Sequence, residues 1–323
     1  MNWRQKAWIQ TWISRLPSAW GYHAYYQMQR RFGGLRVTDP TSRMGGGVSI
    51  WRHLREQGQE RADRFCLEIG TGWRLNTPIA LWLLGAKQII TVDLHRYLKP
   101  ELVFEDVQFL REHPEKIAEI YPTEGLRGDR LERLLKCPLT RTNCDALLEL
   151  CQIQYLAPQD ASALPLAGHS VDLEFSFNVF EHIPGPVLSH ILTEGRRVLK
   201  PTGLSIHCVD YTDHFSHSDG SISSVNFLQY EDRDWDRLAG NRYMYMNRLR
   251  VDDFEQLFQG AGYQILTHVR DVDEAALRLL KNGEIPLATP YQDRSLEVLA
   301  TAESWFVATP ETECQQKAQS FAA

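Results

Sequence analysis

The chain lacks the features that mark a membrane-spanning, secreted or disulfide-bonded protein. No apolar run reaches the roughly 18 residues of a membrane span, and the beginning Met1-Asn2-Trp3-Arg4 has no compact apolar segment of the secretory type. The six cysteines form no CxxC pair, which argues against a zinc cluster and a disulfide framework. The formal net charge of -6 argues against nucleic acid as a partner. We therefore expect a cytoplasmic protein with reduced thiols.

Acidic side chains are missing from the first 35 residues, although the whole chain has 41. Basic residues occur there instead, and Trp3, Trp8, Trp12 and Trp20 are interleaved with them. A helix of this composition either docks its aromatic face on the core or lies on an anionic membrane surface. Docking is the interpretation that we favour, and peripheral membrane contact through residues 1–36 is the alternative.

Changes of pattern along the chain predict three regions. Residues 1–58 form an N-terminal helical extension, residues 59–310 form a larger domain in which strands and helices alternate, and residues 311–323 form a tail. Two stretches of the larger domain, about 96–150 and 212–250, exceed what a strand connection needs and are predicted insertions. Such alternation is typical of an α/β protein with a doubly wound, mostly parallel Rossmann-like sheet, which binds ligands at the carboxyl ends of its strands.

The individual elements follow from apolar runs and their periodicity. In the extension, residues 5–32 read as helical with a break near Pro17, Gly45-Gly46-Gly47 as a flexible break, and 48–58 as a further helix. Helices are also predicted at 78–84, 101–121, 129–135, 144–150, 186–199 and 251–259. Strands are predicted at 65–69, 88–93, 153–156, 171–177, 204–209, 263–269 and 304–308.

The turn after the first predicted strand carries the strongest functional signal. Glu68-Ile69-Gly70-Thr71-Gly72 has two glycines where a backbone can approach a ligand without Cβ collisions. Asp93 follows 21 residues after Gly72 and ends the next predicted strand, where its carboxylate can accept hydrogen bonds from both hydroxyls of a ribose. The combination predicts a site for an adenosine-type ligand.

The ligand predicted for this turn has no phosphate. A dinucleotide-binding turn has a third glycine that lets the helix approach the strand and hold a pyrophosphate, and this chain has Leu75 at that position. Glu68, two residues before the first glycine, would repel a phosphate. The site therefore favours a cationic ligand.

At five places in the same order, the chain resembles the class I S-adenosylmethionine (SAM)-dependent methyltransferases. The matching segments are Leu67-Glu68-Ile69-Gly70-Thr71-Gly72, Val92-Asp93, Asp160-Ala161, Asn178-Val179-Phe180-Glu181-His182-Ile183 and Arg197-Val198-Leu199-Lys200-Pro201-Thr202-Gly203. Thr202 departs from the family pattern, which has glycine there. The resemblance implies SAM as the cofactor, methyl transfer as the activity and a seven-stranded sheet whose last strand is antiparallel. It implies cofactor contacts from Glu68, Gly70, Thr71, Gly72, Asp93, Leu94, Asp160, Ala161 and Asn178.

Candidate catalytic residues follow the fourth and fifth predicted strands. Residues 210–219 are rich in Asp, His and Tyr, on a loop that belongs beside the reacting methyl group. His214 is the predicted general base, because an imidazole titrates near neutral pH, and Asp210 or Asp213 is predicted to orient it. His182, which follows the fourth strand, is the rival base. A solvated polar loop without a catalytic role is the alternative.

No metal site is predicted, although two patterns bear on one. Some similar methyltransferases carry an ExxEH metal motif after the fourth strand, and here Asn178 stands in the first position and breaks it. His214 and His217, with the neighbouring acids, would suit a divalent ion and form the alternative.

Taken together, the residues predict a SAM-dependent methyltransferase that acts on a small-molecule acceptor, through an oxygen of a sugar, phenol or similar metabolite. Segment 227–250, with its aromatic and Arg side chains, favours a polar, ring-bearing acceptor. One alternative is transfer of another group on the same fold, such as an aminopropyl group. The other is a non-catalytic SAM-fold binding or scaffold protein at a membrane surface. The identity of the acceptor and the oligomeric state stay open.

Overall fold

A single seven-stranded sheet organises the chain. The computed structural model describes residues 2–59, 63–121, 125–243 and 245–311. The strands are β1 (Phe65–Ile69), β2 (Gln88–Val92), β3 (Ile153–Leu156), β4 (Val171–Phe177), β5 (Leu199–Asp210), β6 (Tyr263–Val272) and β7 (Thr301–Pro310). Their order across the sheet is β3-β2-β1-β4-β5-β7-β6, and β7 runs antiparallel to both of its neighbours. The predicted doubly wound α/β fold with seven strands is confirmed.

Helices precede the sheet, connect its strands and fill its insertions. They are α1 (Trp3–Ser14), α2 (Ser18–Phe32), α3 (Thr41–Glu56), α4 (Asn76–Leu84), α5 (Pro100–Glu112), α6 (Pro114–Ile120), α7 (Gly128–Lys136), α8 (Asp145–Leu150), α9 (Gly185–Val198), α10 (Asp232–Ala239), α11 (Val251–Gly260), α12 (Glu274–Lys281) and α13 (Leu296–Ala300). Helices α10, α12 and α13 were not predicted from the sequence, and α12 and α13 both lie in the connection between β6 and β7.

Strand β1 is buried on both faces, which is why it reads as an apolar run rather than an alternating one. Cys66 packs in the same core cluster as Ile79 of α4, whereas Leu67 and Ile69 pack on the other face with Leu192 of α9. The chain builds β1 to β3 towards one edge and then returns to place β4 on the other side of β1. This reversal opens a crevice at the carboxyl ends of β1 and β4.

The prediction of a flexible break at Gly45-Gly46-Gly47 is wrong, because these residues lie inside α3. A Cβ on Gly46 would lie 2.8 Å from the ring of Phe177, and one on Gly47 would lie 2.7 Å from the Cβ of Ala80. The glycines let α3 approach β4 and α4 closely. Tertiary packing thus outweighs the low helix propensity of glycine.

The aromatic face of the N-terminal extension is divided between the core and the surface. Trp3 is 4% exposed and stacks on Trp235 of α10 with ring centroids 6.2 Å apart. In contrast, Trp8, Trp12 and Trp20 are 64%, 53% and 75% exposed. The expected docking therefore holds for Trp3 but does not describe the other three tryptophans.

Among the described residues, no helix is both apolar enough and long enough to cross a bilayer. The cysteines at 66, 137, 144, 151 and 208 are buried and free of disulfides, and Cys314 lies outside the described residues.

Replacing the docked tryptophan is expected to destabilise the protein. Trp3→Ala removes a buried indole between Trp235 and Phe215 and should lower the free energy of unfolding by about 3 kcal/mol. Trp12→Ala is the matched control, because its ring is exposed, and should change that free energy by less than about 0.5 kcal/mol. Urea unfolding followed by circular dichroism compares the two. Equal effects of both substitutions would contradict the docking of Trp3.

Candidate functional site

The turn after β1 requires glycine for two reasons. Gly70 has φ +86° and Gly72 has φ +64°, values that side-chain-bearing residues rarely adopt. A Cβ on Gly70 would also lie 2.6 Å from a methyl carbon of Val179, which follows β4. The amide N–H of Gly70 donates to the carbonyl of Val92 at 2.9 Å. The turn is thus held against β2 and pressed against the start of the loop after β4.

Glu68 lies buried at the base of this turn. Its carboxylate accepts a hydrogen bond from the hydroxyl of Thr91, which also lies 2.6 Å from the hydroxyl of Thr71. Burial raises the pKa of Glu68 to about 8, and the nearby charge of Asp93 acts in the same direction. The side chain of Thr71 is therefore occupied within the protein, and Glu68 provides a buried acid whose charged form a bound cation would favour.

Asp93 ties the loops after β1 and β2 together. One carboxylate oxygen accepts from the amide N–H of Gly72 at 2.9 Å, and the other accepts from that of His95 at 3.0 Å. Because each carboxylate oxygen has two lone pairs, both remain able to accept a further hydrogen bond. The adjacent Leu94 is exposed. Asp93 is therefore both a strand-end cap and an available acceptor.

The loop after β3 lies against Asp93. The amide N–H of Gln159 donates to the carbonyl oxygen of Asp93 at 2.8 Å. In the same loop, one carboxylate oxygen of Asp160 accepts from the amide and hydroxyl of Ser162, at 2.8 Å each, and Ala161 is half-buried. The structure therefore brings the predicted Asp160-Ala161 pair to the same edge of the sheet as Asp93.

A cleft of about 210 Å³ opens between the turn after β1 and the loop after β4. Its lining residues are Leu35, Arg43, Glu68, Gly70, Thr71, Gly72, Trp73, Arg74, Asn76, Thr77, Phe177, Asn178 and Val179. Asn178 has φ +54°, and its side-chain oxygen is buried without a hydrogen-bond partner in the described part of the chain. An unpaired buried acceptor in a cleft suits a ligand that brings a donor.

The N-terminal extension covers one side of this cleft. Tyr26 of α2 stacks on Trp73 with ring centroids 5.3 Å apart, and Tyr22 lies 5.6 Å from the ring of His95. Tyr22 also lies 5.7 Å from Tyr243. Pockets for drug-sized ligands have volumes of roughly 300 Å³ or more, and the cleft is smaller. A drug-sized ligand can therefore enter only if helix α2, which covers the cleft, moves away.

A second polar group lies at the carboxyl ends of β4 and β5. Glu181 and His182 belong to a short 3-10 turn at Phe180–His182, and His214 follows β5. Glu181, His182 and His214 each offer one ligand atom within 4.8 Å of the others. The rings of His182 and His214 have centroids 4.9 Å apart. Each residue stands out in the sequence, but no pattern in the sequence indicates that Glu181 lies beside both histidines.

Asp210, rather than Asp213, contacts His214. A carboxylate oxygen of Asp210 lies 3.5 Å from Nε2 of His214. Burial alone would raise the pKa of Asp210, but its hydrogen bonds with His214 and Thr212 outweigh that effect and lower the pKa to about 2. Asp213 is fully buried, and its two oxygens accept from the amide of Phe215 and the side chain of Asn226. Asp213 therefore holds the loop, in contrast to its expected role of orienting His214.

The environment of Glu181 and His182 differs from that of an ordinary loop. Glu181 is 3% exposed, and neither carboxylate oxygen has a hydrogen bond of normal geometry. Burial raises the pKa of Glu181 well above its usual range, although the amides of Glu181 and Asp210 act in the opposite direction. Nδ1 of His182 lies 2.9 Å from the carbonyl oxygen of Tyr245 and donates to it.

A larger cavity, of about 730 Å³, lies at the other end of the sheet. It is lined by residues before β4, in α9 and at the beginning of β5, including His169, Arg196 and Pro201. It contains none of the predicted site residues, so its size does not mark the site.

A family model described as "Methyltransferase domain" matches residues 129–207, about a quarter of the chain. No curated protein matches the chain significantly.

The solved structures with a similar fold are distant in sequence. The PH0226 protein from Pyrococcus horikoshii is 12% identical over 89% of this chain and 99% of its own, with a TM-score of 0.47. A SAM-dependent methyltransferase from Methanosarcina mazei is 14% identical over 78% and 95%, with a TM-score of 0.42. The YcgJ protein of Bacillus subtilis is 13% identical over 82% and 99%, with a TM-score of 0.41.

The matched domain and the topology of this chain bear on the resemblance to the methyltransferases, and these distant structures carry no argument for it. The strand order β3-β2-β1-β4-β5-β7-β6, with β7 antiparallel, is the arrangement that the sequence resemblance implies. The matched residues include β3, β4 and most of β5. With the glycine turn and Asp93 at the crevice, the matched methyltransferase domain and the strand order agree with the resemblance to the class I SAM-dependent methyltransferases.

Proposed function

We propose that this methyltransferase binds SAM in the cleft between the turn after β1 and the loop after β4 and methylates an oxygen of a small molecule. The observation that carries the proposal is the unpaired buried oxygen of Asn178, which faces the same cleft as Glu68 and the glycine turn. Both groups suit a ligand that carries positive charge and N–H donors, and neither suits a phosphate.

Residues of the cleft and of the adjoining loops after β2 and β3 each contact a different part of the cofactor in this proposal. The ammonium group fits the oxygen of Asn178, the ribose hydroxyls fit the remaining lone pairs of Asp93, and the adenine amine fits Asp160. The bound cofactor supplies a methyl group that is already activated on a positively charged sulfur. The protein therefore needs mainly to align the acceptor with that group and to exclude water.

The acceptor belongs beside His214, His182 and Asp210, next to this cleft at the ends of β4 and β5. In the reaction, the acceptor hydroxyl releases its proton to solvent water, its oxygen forms the bond to the methyl carbon, and the carbon–sulfur bond breaks with its electron pair on sulfur. The nearby aromatic groups include Tyr22 and Tyr243, with Arg242 over both rings. Aromatic faces with a guanidinium favour a polar, ring-bearing acceptor such as a sugar or phenol.

A second proposal concerns the outward face of the extension. Trp8, Trp12, Leu16 and Trp20 are exposed together, and Arg15 lies over the ring of Trp12 at 5.3 Å. Exposed indoles with basic side chains and no acids suit the interface of an anionic membrane. We propose peripheral membrane contact through residues 1–36. The cytoplasmic side of the membrane is favoured, because the described cysteines are free and cytoplasmic proteins keep their thiols reduced. This contact is compatible with catalysis, whereas a purely structural protein would not need the cleft.

Asp93→Ala should weaken SAM binding. The substitution leaves ribose hydroxyl donors without a partner, which costs on the order of 1–3 kcal/mol and corresponds to roughly ten- to a hundredfold in the dissociation constant. Calorimetric titration with SAM and with its demethylated product measures the effect, and NAD should not bind. Asp129→Ala, an exposed acid on α7, is the control. Unchanged affinity in Asp93→Ala would show that Asp93 serves only as a strand-end cap.

His214→Ala should reduce turnover by about 10²–10⁴-fold and leave SAM affinity nearly unchanged, because His214 acts on the acceptor rather than the cofactor. The acceptor is first identified by incubating the wild-type protein with labelled SAM and fractionated cell extract. His113→Ala, an exposed histidine after α5, is the control and should keep full turnover. Normal turnover in His214→Ala with loss in His182→Ala would transfer the role to His182.

Replacing Trp8, Trp12 and Trp20 by Ser should reduce binding to vesicles that contain phosphatidylserine by at least tenfold, while the melting temperature stays the same. Sedimentation of the protein with vesicles measures the binding, and added salt should weaken it. The control is the replacement of Leu266 and Val269, two exposed apolar residues of β6, by Ser. Absence of vesicle binding by the wild-type protein would refute the membrane contact.

A further inference from the structure

We propose that Glu181, His182 and His214 bind one divalent cation of the zinc or first-row transition-metal class, and that this cation holds the acceptor oxygen. The inference rests on the proposed function and deepens it, because it names how the acceptor hydroxyl is held and activated. It differs from the pairing of His214 with His217 considered from sequence, and it does not require a carboxylate at position 178.

The spacing of the three side chains suits a shared ion. Nε2 of His182 lies 3.9 Å from a carboxylate oxygen of Glu181, and the ligand atoms of all three residues lie within 4.8 Å of one another. Two ligands bound at about 2.1 Å to a tetrahedral ion are roughly 3.4 Å apart. Side-chain rotation that brings the ligand atoms closer by up to about 1.4 Å places all three at bonding distance from one ion.

Glu181 is the strongest single indication of a missing partner. Its side chain is 4% exposed, and both of its carboxylate oxygens are buried and lack a protein hydrogen bond of normal geometry. A buried carboxylate destabilises the fold unless a charge or hydrogen-bond donors compensate it. No Lys or Arg ion pair with Glu181 occurs in the described part of the chain, and its ion-pair partner there is His182. A cation between Glu181 and the two histidines supplies the missing compensation.

Both histidines have the outer contacts that orient imidazole ligands. Nδ1 of His182 donates to the carbonyl oxygen of Tyr245, which leaves the lone pair of Nε2 directed away from that contact. Asp210 lies 3.5 Å from Nε2 of His214, and the amide and hydroxyl of Thr212 fix Asp210 at 2.8 Å and 2.6 Å. Carbonyl and carboxylate partners of this kind hold the tautomer and ring plane of metal-bound histidines.

His217 does not belong to the trio. Its Nε2 lies 2.9 Å from the hydroxyl of Thr212, its side chain is more than half exposed, and its ring centroid lies 5.3 Å from that of His214. The ion therefore joins the turn after β4 to the loop after β5, rather than lying within that loop.

Two imidazoles and one carboxylate form a donor set for Zn²⁺, Mn²⁺, Fe²⁺ or Co²⁺, and three protein ligands leave coordination positions open. An acceptor hydroxyl that occupies an open position loses its proton more readily, because the cation stabilises the resulting oxygen anion. The proton passes to solvent water. His214 then acts as a ligand of the ion, and its own lone pair takes no proton from the acceptor.

Metal binding by the full-length protein tests the site directly. The purified protein is treated with chelator, dialysed, and titrated with Co²⁺, whose visible absorption reports nitrogen and oxygen ligands, and Zn²⁺ is then added as a competitor. We expect one ion per chain. Glu181→Gln, which preserves volume, and His214→Ala should each weaken Co²⁺ binding by at least tenfold. His113→Ala should bind as the wild-type protein does, and circular dichroism verifies folding of every variant.

The outcomes separate the cation site from the proposed function. Co²⁺ binding by the wild-type protein supports the site if Glu181→Gln and His214→Ala abolish it. This holds even if no methylated product is found, and that result would refute the proposed function alone. Failure of the wild-type protein to bind Co²⁺, or equal binding by all variants, overturns the site. Full methylation in the presence of chelator also overturns it and leaves the proposed function intact.

Discussion

The site depends on one steric constraint: position 70 has no room for a side chain. A side chain there would collide with Val179, and the positive φ of the residue excludes most other amino acids. Because Gly70 is bonded to β2 and pressed against the loop after β4, it brings together the ends of three strands. Asn178 acquires its left-handed backbone and its buried, unpaired oxygen next to this contact. A methyl group added at Gly70 would separate the two sides of the cleft.

The elements that sequence reasoning placed correctly are those with local signals. Strand β1 is a mostly apolar run because both faces of the sheet are covered, and β4 alternates apolar and polar residues as a strand does. The two glycines of Gly70-Thr71-Gly72 mark a turn with positive φ angles. The three glycines of α3 were misjudged, because their role depends on Phe177 and Ala80, which are distant in sequence. Packing between elements that are far apart in the chain leaves no local pattern to read.

The same limit applies to the acceptor side. The loop after β5 is rich in acids and histidines, and its composition does not distinguish Asp210 from Asp213. In the structure, Asp210 contacts His214, whereas Asp213 accepts hydrogen bonds from Phe215 and Asn226. Nor does composition show that His214, in the loop after β5, lies close to Glu181 and His182 after β4. The EH pair after β4 was a visible signal, but its partner became evident only from the geometry of the sheet edge.

The central claim is that SAM occupies the cleft beneath the N-terminal extension. A crystal structure with S-adenosylhomocysteine tests it most directly. We expect the ammonium group within hydrogen-bond distance of the side-chain oxygen of Asn178 and the ribose hydroxyls on Asp93, with α2 displaced to admit the ligand. Ligand bound in the larger cavity near His169 and Arg196, with the cleft at Gly70 unchanged, would contradict it.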